Sequence, residues 1–579
     1  MSAWQPVVAQ GDDESRHIVT RPIAYAGSTS PYGATTAKQS ATASRVPAAA
    51  ALLDPEKSAK PLHPLVMPCA CEFLGTFVLV FTVACCPKGV WLPTASAAIY
   101  VALVYTIGLI SGAHLNPAIS LAAVIGKRMN FSAFFGYFMS QAVGGVLGGL
   151  FFRLCFPGTT MAVSITPVAP FHFGEAALVE IAYTTMLSFV ALNVTMSSST
   201  NRNQFFGLAV GFVLVAGGYA AMKMSNALFN PAISFGLGVS TLNIGSFISG
   251  CWYSLVELGG GIIAAMLFRI CRHNEYSIAH ELVYEVEAGQ YINPHEVTIV
   301  PSPSLPARVF TEFLGTFWVV LTFGLNTVLA TGAIAWSVAG ALISMTYALE
   351  SVSGAHFNPV VTLAIMLSGR GKCPRREGCL FAVAQLVAAI PAGFMTASAI
   401  PKLQHFSPPG HRVDLTWLTD TGLFCEYSRY SGSEIFLVEF LFTYLLSYVV
   451  LVVSTSEMHT SPTAKGWPNF YFALAIGLAV AGVVYAAGPI SGGYLNPAVA
   501  LGFAVEGQPS LASSAEIKDW PWFANDLIRF FASFIKGIRY YLQIFWYIIP
   551  EVLGACFAAL TFRFLHVAEY TKKAGSGSS

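Results

Sequence analysis

The sequence predicts an all-α polytopic membrane protein: two tandem units, each of six transmembrane helices and two re-entrant half-helices arranged as an inverted repeat. Three observations predict it. The 579 residues are 55% hydrophobic and 10% charged, with a mean hydropathy of +0.62, which places the chain among polytopic membrane proteins. The stretch SGAHLNPAIS at 111–120 returns as SNALFNPAIS at 225–234, SGAHFNPVVT at 353–362 and SGGYLNPAVA at 491–500. The halves also repeat one another: CEFLGTF at 71–77 matches TEFLGTF at 311–317, and VEIAYTTMLSF at 179–189 matches VEFLFTYLLSY at 438–448.

A spanning helix needs about 20 apolar residues. Residues 1–64, rich in Ser, Ala, Thr and charge, read as a disordered tail. The first unit, 65–270, offers spans near 71–90, 94–111, 131–155, 174–197, 205–223 and 246–270. A linker follows at 271–306. The second unit, 307–566, offers 307–328, 333–352, 379–400, 433–455, 468–487 and 541–565, with an insertion at 507–540 and a tail at 567–579. Each Asn-Pro opens a further apolar stretch of about ten residues, which rises only ~15 Å, half a bilayer. These stretches read as half-helices that enter the membrane and return. Three spans accompany each Asn-Pro. An odd count inverts the second set relative to the first.

Lys and Arg set the expected orientation. Lys127, Arg128 and Arg202 follow spans 2 and 4 of the first unit, and Arg370, Lys372, Arg375 and Arg376 occupy the matching loop of the second. The short opposite loops carry little beyond Lys88, so both termini and the linker are expected in the cytoplasm. The net charge of +1 argues against nucleic acid as a partner. The eleven cysteines lack metal-ligand spacing and suggest no disulfide framework. No triad, metal cluster, phosphate loop or cofactor motif is present, so an enzyme has no support.

Proline lacks an amide hydrogen and suits the first turn of a helix, and asparagine before it is a good N-cap. In mid-membrane an Asn-Pro starts a half-helix whose positive end points into the bilayer core. Irregular backbone survives there only when buried in protein or lining a watery path. Two such starts meeting from opposite sides bring two asparagine amides together. Their NH2 groups can donate to passing oxygens, while the dipole ends repel cations.

With these motifs the chain resembles the aquaporins, or major intrinsic proteins, over both halves. The resemblance implies the family fold in each half and a passive channel for water or small uncharged solutes. It assigns the pore motifs to Asn116-Pro117-Ala118 with Asn230-Pro231-Ala232, and to Asn358-Pro359-Val360 with Asn496-Pro497-Ala498. Val360 departs from the usual alanine. The family's outer constriction falls, by counting, on Ser96, Gly218, Ala227 and Ile233 in the first pore and Val338, Val484, Gly493 and Val499 in the second. An arginine is usual where Ile233 and Val499 stand. Its loss removes a five-donor fork and a positive charge. Glycerol-passing members often place an aspartate where Ser234 and Ala500 stand, so water, hydrogen peroxide or ammonia are the expected solutes. Family members assemble as tetramers, so a homodimer of this chain is expected to form a pseudo-tetramer within membrane lipid.

Glu72, Glu180, Glu312 and Glu439 match family glutamates that brace the re-entrant loops. Glu257 and Glu551 stand where the family shows a Gly-Pro region, and the sequence gives them no role beyond a helix–helix bond. Glu350 is expected as a solvated vestibule charge, His114 and His356 as packed loop histidines, and Gln141 and Gln385 as interhelical bonds. Lys223 is expected at the outer vestibule, either snorkelling to water or replacing the charge lost at Ile233. The amphipathic segment 526–542 reads as an interfacial helix. The rival function is a poorly conducting, membrane-structural or adhesive aquaporin relative, favoured by the lost arginines.

Overall fold

The computed structural model describes residues 17–22, 65–86, 89, 91–158, 165–200, 203–276, 279–287, 290–299, 301–398, 431–456, 470–506 and 538–571. The chain divides into two compact bodies, one of residues 1–67 with 274–302 and one of 68–273 with 303–579. Lys88, Arg202 and most of the segment 526–542 lie outside the described residues.

The smaller body holds a three-stranded antiparallel sheet in the order β1 (His17–Pro22), β2 (Ala279–Glu287), β3 (Gln290–Ile299). His17 pairs with Val286, and Ala279 with Ile299. The expectation of a wholly disordered tail is corrected at 17–22, where β1 joins the linker hairpin.

The larger body is helical, as the sequence predicts. The first unit comprises α1 (Val66–Cys85), α2 (Leu92–Ser111), half-helix α3 (Pro117–Ile125), α4 (Phe131–Cys155), α5 (Phe173–Ala191), α6 (Phe206–Ser225), half-helix α7 (Pro231–Ser240) and α8 (Ile244–Cys271). The second repeats the order: α9 (Leu305–Val328), α10 (Ile334–Ser353), half-helix α11 (Pro359–Leu367), α12 (Arg375–Ala397), α13 (Gly432–Thr455), α14 (Phe472–Ser491), half-helix α15 (Pro497–Glu506) and α16 (Ile538–Leu565). Among the described residues, 11 helices are long and apolar enough to cross a membrane. The other long helix, α10, carries Ser337, Ser344, Thr346 and Glu350, polar groups that its packed position accommodates.

Local chemistry sets the boundaries. Asn130, Asn243 and Ser304 cap α4, α8 and α9 through their side-chain oxygens. Helices α2, α10 and α14 end at Gly112, Gly354 and Gly492 in the left-handed region, and α6 ends at Asn226, at φ 70°. Small residues let α4 pass between two neighbours. A Cβ on Gly148 would come 2.6 Å from the Phe77 carbonyl of α1, and one on Gly145 would collide with the Ala232 carbonyl of α7.

The two units meet along α5 and α6 of the first and α9 and α10 of the second. The Tyr183 hydroxyl bonds Thr322 Oγ1 at 2.9 Å, and Ser337 Oγ donates to the Ala216 carbonyl at 2.6 Å. Phe205 stacks on Tyr347, with centroids 4.3 Å apart. Arg272, fully buried, reaches Asn193 Oδ1 at 2.8 Å, the Ala348 carbonyl at 2.9 Å and Ser351 Oγ at 3.0 Å. Glu350 is half-buried with Arg272 beside it.

Candidate functional site

Each re-entrant loop turns sharply into its half-helix. Residues one and three before each asparagine lie at positive φ: Ala113 and Leu115, Ala227 and Phe229, Ala355 and Phe357, Gly493 and Leu495. Non-glycine residues held there cost about 1–3 kcal/mol each and persist only when the surroundings impose them. Four glutamates impose them. Glu72 accepts from the His114 amide at 2.9 Å, the Leu115 amide at 2.7 Å and Ser111 Oγ at 2.7 Å. Glu312 receives the His356 and Phe357 amides at 3.0 and 2.7 Å and Ser353 Oγ at 2.6 Å. Glu180 accepts from Leu228 and Phe229 at 3.0 and 2.8 Å, and Glu439 from Tyr494 and Leu495 at 3.3 and 3.1 Å. All four side chains are buried.

The asparagines then lace the two loops of each unit together. Asn116 Nδ2 donates to the Phe229 carbonyl at 2.9 Å, and Asn230 Nδ2 donates back to the Leu115 carbonyl at 2.8 Å. In the second unit Asn358 reaches the Leu495 carbonyl at 2.8 Å and Asn496 the Phe357 carbonyl at 3.0 Å. Each Oδ1 accepts from the amide two residues on, at Ala118, Ala232, Val360 and Ala498, so each asparagine also caps its half-helix. Pro117, Pro231, Pro359 and Pro497 begin those helices. The amide group has two hydrogens, and the lacing bond takes one. Val360 keeps the same cap and the same cross-loop bond as its alanine counterparts.

Two polar threads brace the first loop of each unit. Gln141 Nε2 donates to Glu72 at 2.8 Å and to Ser120 Oγ at 3.0 Å, and Ser120 meets His114 Nδ1 at 3.0 Å. Gln385, Glu312, Thr362 and His356 repeat the arrangement at 2.8, 3.0 and 3.1 Å.

A cavity in the first unit brings together Ser96, Gly218, Ala227 and Ile233, the four residues assigned by counting to its constriction, with Pro93, Tyr100, Asn226 and Asn230. A Cβ on Gly218 would lie 2.6 Å from Pro93 Cβ, so this wall has no room for a larger side chain. A second cavity is lined by Tyr100, Val104, His114, Ile119 and Thr195. In the second unit Gly493 lies against Val484, a built Cβ coming 3.4 Å from its Cα, and Val338, Val484 and Val499 are buried.

Lys223 has partners that the sequence did not name. Its ammonium donates to the Leu329 and Ala330 carbonyls of the second unit, both at 2.7 Å. The cavity wall is formed by Met222 and Asn226 on either side of it. Lys223 is itself exposed, and these two bonds tie the units together at the end of α6. Sequence reasoning missed Tyr100 and Arg272, because a tyrosine inside an apolar span and an arginine at a span end both read as ordinary.

The sequence model described as Major intrinsic protein matches residues 63–268 and again 301–505. The chain is 32% identical over 209 residues to the glycerol uptake facilitator protein-like 6 of Lactiplantibacillus plantarum, covering 34% of this chain and 95% of that protein. It is 28% identical over 168 residues to aquaporin-4 of Mus musculus, covering 29% of this chain and 51% of that protein. Superposition on the X-ray structure of the aquaglyceroporin from Plasmodium falciparum gives a TM-score of 0.31 at 20% identity, over 35% of this chain and 93% of that one. Two successive family matches, each spanning a full set of helices and two half-helices or nearly so, carry the conclusion: the chain belongs to the major intrinsic protein (aquaporin) family and holds the family unit twice in tandem.

Proposed function

We propose that the protein is a passive channel for water and small uncharged solutes, with one pathway in each unit. The observation that carries this reading is the reciprocal lacing of Asn116 with Asn230 and of Asn358 with Asn496. It sets two half-helix starts against each other in mid-bundle and leaves an amide hydrogen at each asparagine for a passing oxygen. The paired positive ends disfavour cations.

Ile233 and Val499 supply no donor at the constriction, and Ser234 and Ala500 supply no carboxylate. Hydrogen peroxide and ammonia suit such a ring better than glycerol, although one relative is named for glycerol uptake. The arginines missing at Ile233 and Val499 favour the rival reading, a poorly conducting, membrane-structural or adhesive relative. Lys127, Arg128, Arg370, Lys372, Arg375 and Arg376 support cytoplasmic termini. The exposed flanks of α1, α2, α13 and α14 support a homodimer that completes a ring of four units.

Swelling of proteoliposomes in water, glycerol, urea and hydrogen peroxide tests the channel. Flux above empty liposomes that falls in Asn116→Ala with Asn358→Ala is the expected result. No flux for any of these solutes overturns the channel and leaves the structural reading.

A further inference from the structure

One of the positions at which the two pathways of one chain differ lies in mid-membrane. Counting back 16 residues from Asn116 gives Tyr100, one turn after Ser96, and the same count from Asn358 gives Leu342, one turn after Val338. Tyr100 borders both cavities of the first unit, the one that holds Ser96 and Ile233 and the one that holds His114 and Thr195. Its ring therefore stands between them. The side chain is 2% exposed, and its hydroxyl donates to the His114 carbonyl at 2.6 Å. His114 belongs to the loop that leads into Asn116. The phenol thus spans from α2 to the facing loop and occupies a carbonyl on that wall.

Leu342 is built otherwise. Between Ser337 and Leu349 every other residue of α10 is buried, and Leu342 alone keeps partial exposure. Helix α10 packs against α6, α9 and α14. By its place in the repeat Leu342 takes the lumen-side position that Tyr100 holds in the first unit, and a leucine there offers neither the length nor the hydroxyl to reach across it.

We propose that Tyr100 is the specificity-determining barrier of the first pathway, so that one chain carries two unequal pores. The first is divided by a tethered phenol, and the second is open and aliphatic at Leu342. The second pore then carries most of the flux and favours the less polar of the small neutral solutes, because its walls at Val338, Leu342 and Val499 offer no donor to replace lost hydration. This rests on the channel reading.

The test is stopped-flow flux of water and hydrogen peroxide through the full chain in liposomes, at matched protein content. Tyr100→Leu is expected to raise flux, about twofold if the two pores become alike. Leu342→Tyr is expected to reduce it to well below half. Tyr100→Phe keeps the ring and removes its tether, and is expected to fall between wild type and Tyr100→Leu. Ala227→Cys places a thiol in the first cavity as a reporter of that route. A mercurial is expected to block little flux in Ala227→Cys and a large share of it in Ala227→Cys with Tyr100→Leu. Wild-type flux that is unchanged in Tyr100→Leu, or mercurial block of equal size with either residue at 100, overturns the barrier and leaves the channel standing. Absence of flux in wild type and in every variant overturns the channel reading, and the barrier with it.

Discussion

At the scale of single residues, Glu257 and Glu551 show how one site diverges between repeats. Both are buried in the last span of their unit and face the start of its second half-helix. Glu257 Oε1 accepts from Ser234 Oγ at 2.6 Å, while Oε2 has no hydrogen bond. The counterpart of Ser234 is Ala500, and neither oxygen of Glu551 has a hydrogen bond, although the Asn496 backbone amide lies beside it. A buried polar group without a partner costs about 1–3 kcal/mol, and an apolar isostere removes that cost. Glu551→Leu is therefore expected to raise the thermal midpoint of the purified protein. Glu257→Leu is expected to lower it, because Ser234 is left without its acceptor. Equal shifts in the two variants would show that the Ser234 bond does not separate the sites. The sequence singled out both glutamates as charges in the last span of each unit. It could not show which of the two had a partner, since that depends on a residue some 20 to 50 positions away in a different helix.

At the scale of elements, most of the architecture was legible. The apolar windows fell within about five residues of every long helix, because hydropathy and the bilayer thickness act on the same length. Asn-Pro located all four half-helices, because its capping chemistry is local. The sheet was not legible from composition. Strict alternation of apolar and polar residues is confined to 284–287 in β2 and 296–299 in β3, and Pro294 interrupts β3, so the period-2 signal is short. Glycines at 144, 145, 148 and 149 allow close helix crossings, and only the structure shows against what. Those crossings lie within the unit, where Gly144 and Gly148 face α1, and Gly145 and Gly149 face α7. The second unit carries Ala388, Ala389, Ala392 and Gly393 at these places, so its half-helix α15 already accommodates a methyl. Gly145→Ala is therefore expected to cost about 1–3 kcal/mol by overpacking against the Ala232 carbonyl. Ala389→Gly is expected to cost less, since it removes a methyl and adds mainly backbone freedom, about 1 kcal/mol. Chemical or thermal unfolding in detergent compares them. A Gly145→Ala protein as stable as wild type would mean that α4 and α7 separate freely.

At the scale of the whole molecule, one of the surfaces between units is internal, and its counterparts face outward. Within their spanning windows α5, α6 and α9 are 78%, 61% and 78% buried. The equivalent helices α13, α14 and α1 are 33%, 44% and 33% buried, and α2 is 28% buried. The internal surface is marked by Phe205 stacked on Tyr347. By position in the repeat, the partner of Phe205 is Tyr471 and the partner of Tyr347 is Tyr105, and these are 37% and 40% exposed. Other features of the two tyrosines agree. The Tyr347 hydroxyl donates to the Phe470 carbonyl at 2.6 Å and the Tyr105 hydroxyl to the Gln204 carbonyl at 2.9 Å, so both rings are presented alike. What Tyr105 lacks within its own chain is the ring that Phe205 lays on Tyr347. A second copy related by a two-fold axis would supply Tyr471 in that place, and the same contact would recur at the other junction, closing the ring with two chains. Cysteines placed at both positions report on it directly. Tyr105→Cys with Tyr471→Cys in one chain, in a background without the native cysteines, is expected to give a covalent dimer in membranes on oxidation. Each single variant is expected to give far less, because the two-fold axis sets position 105 opposite position 471 rather than opposite itself. Monomer alone from the double variant, with the protein folded and in the membrane, would rule out this pairing and leave α1, α2, α13 and α14 facing lipid.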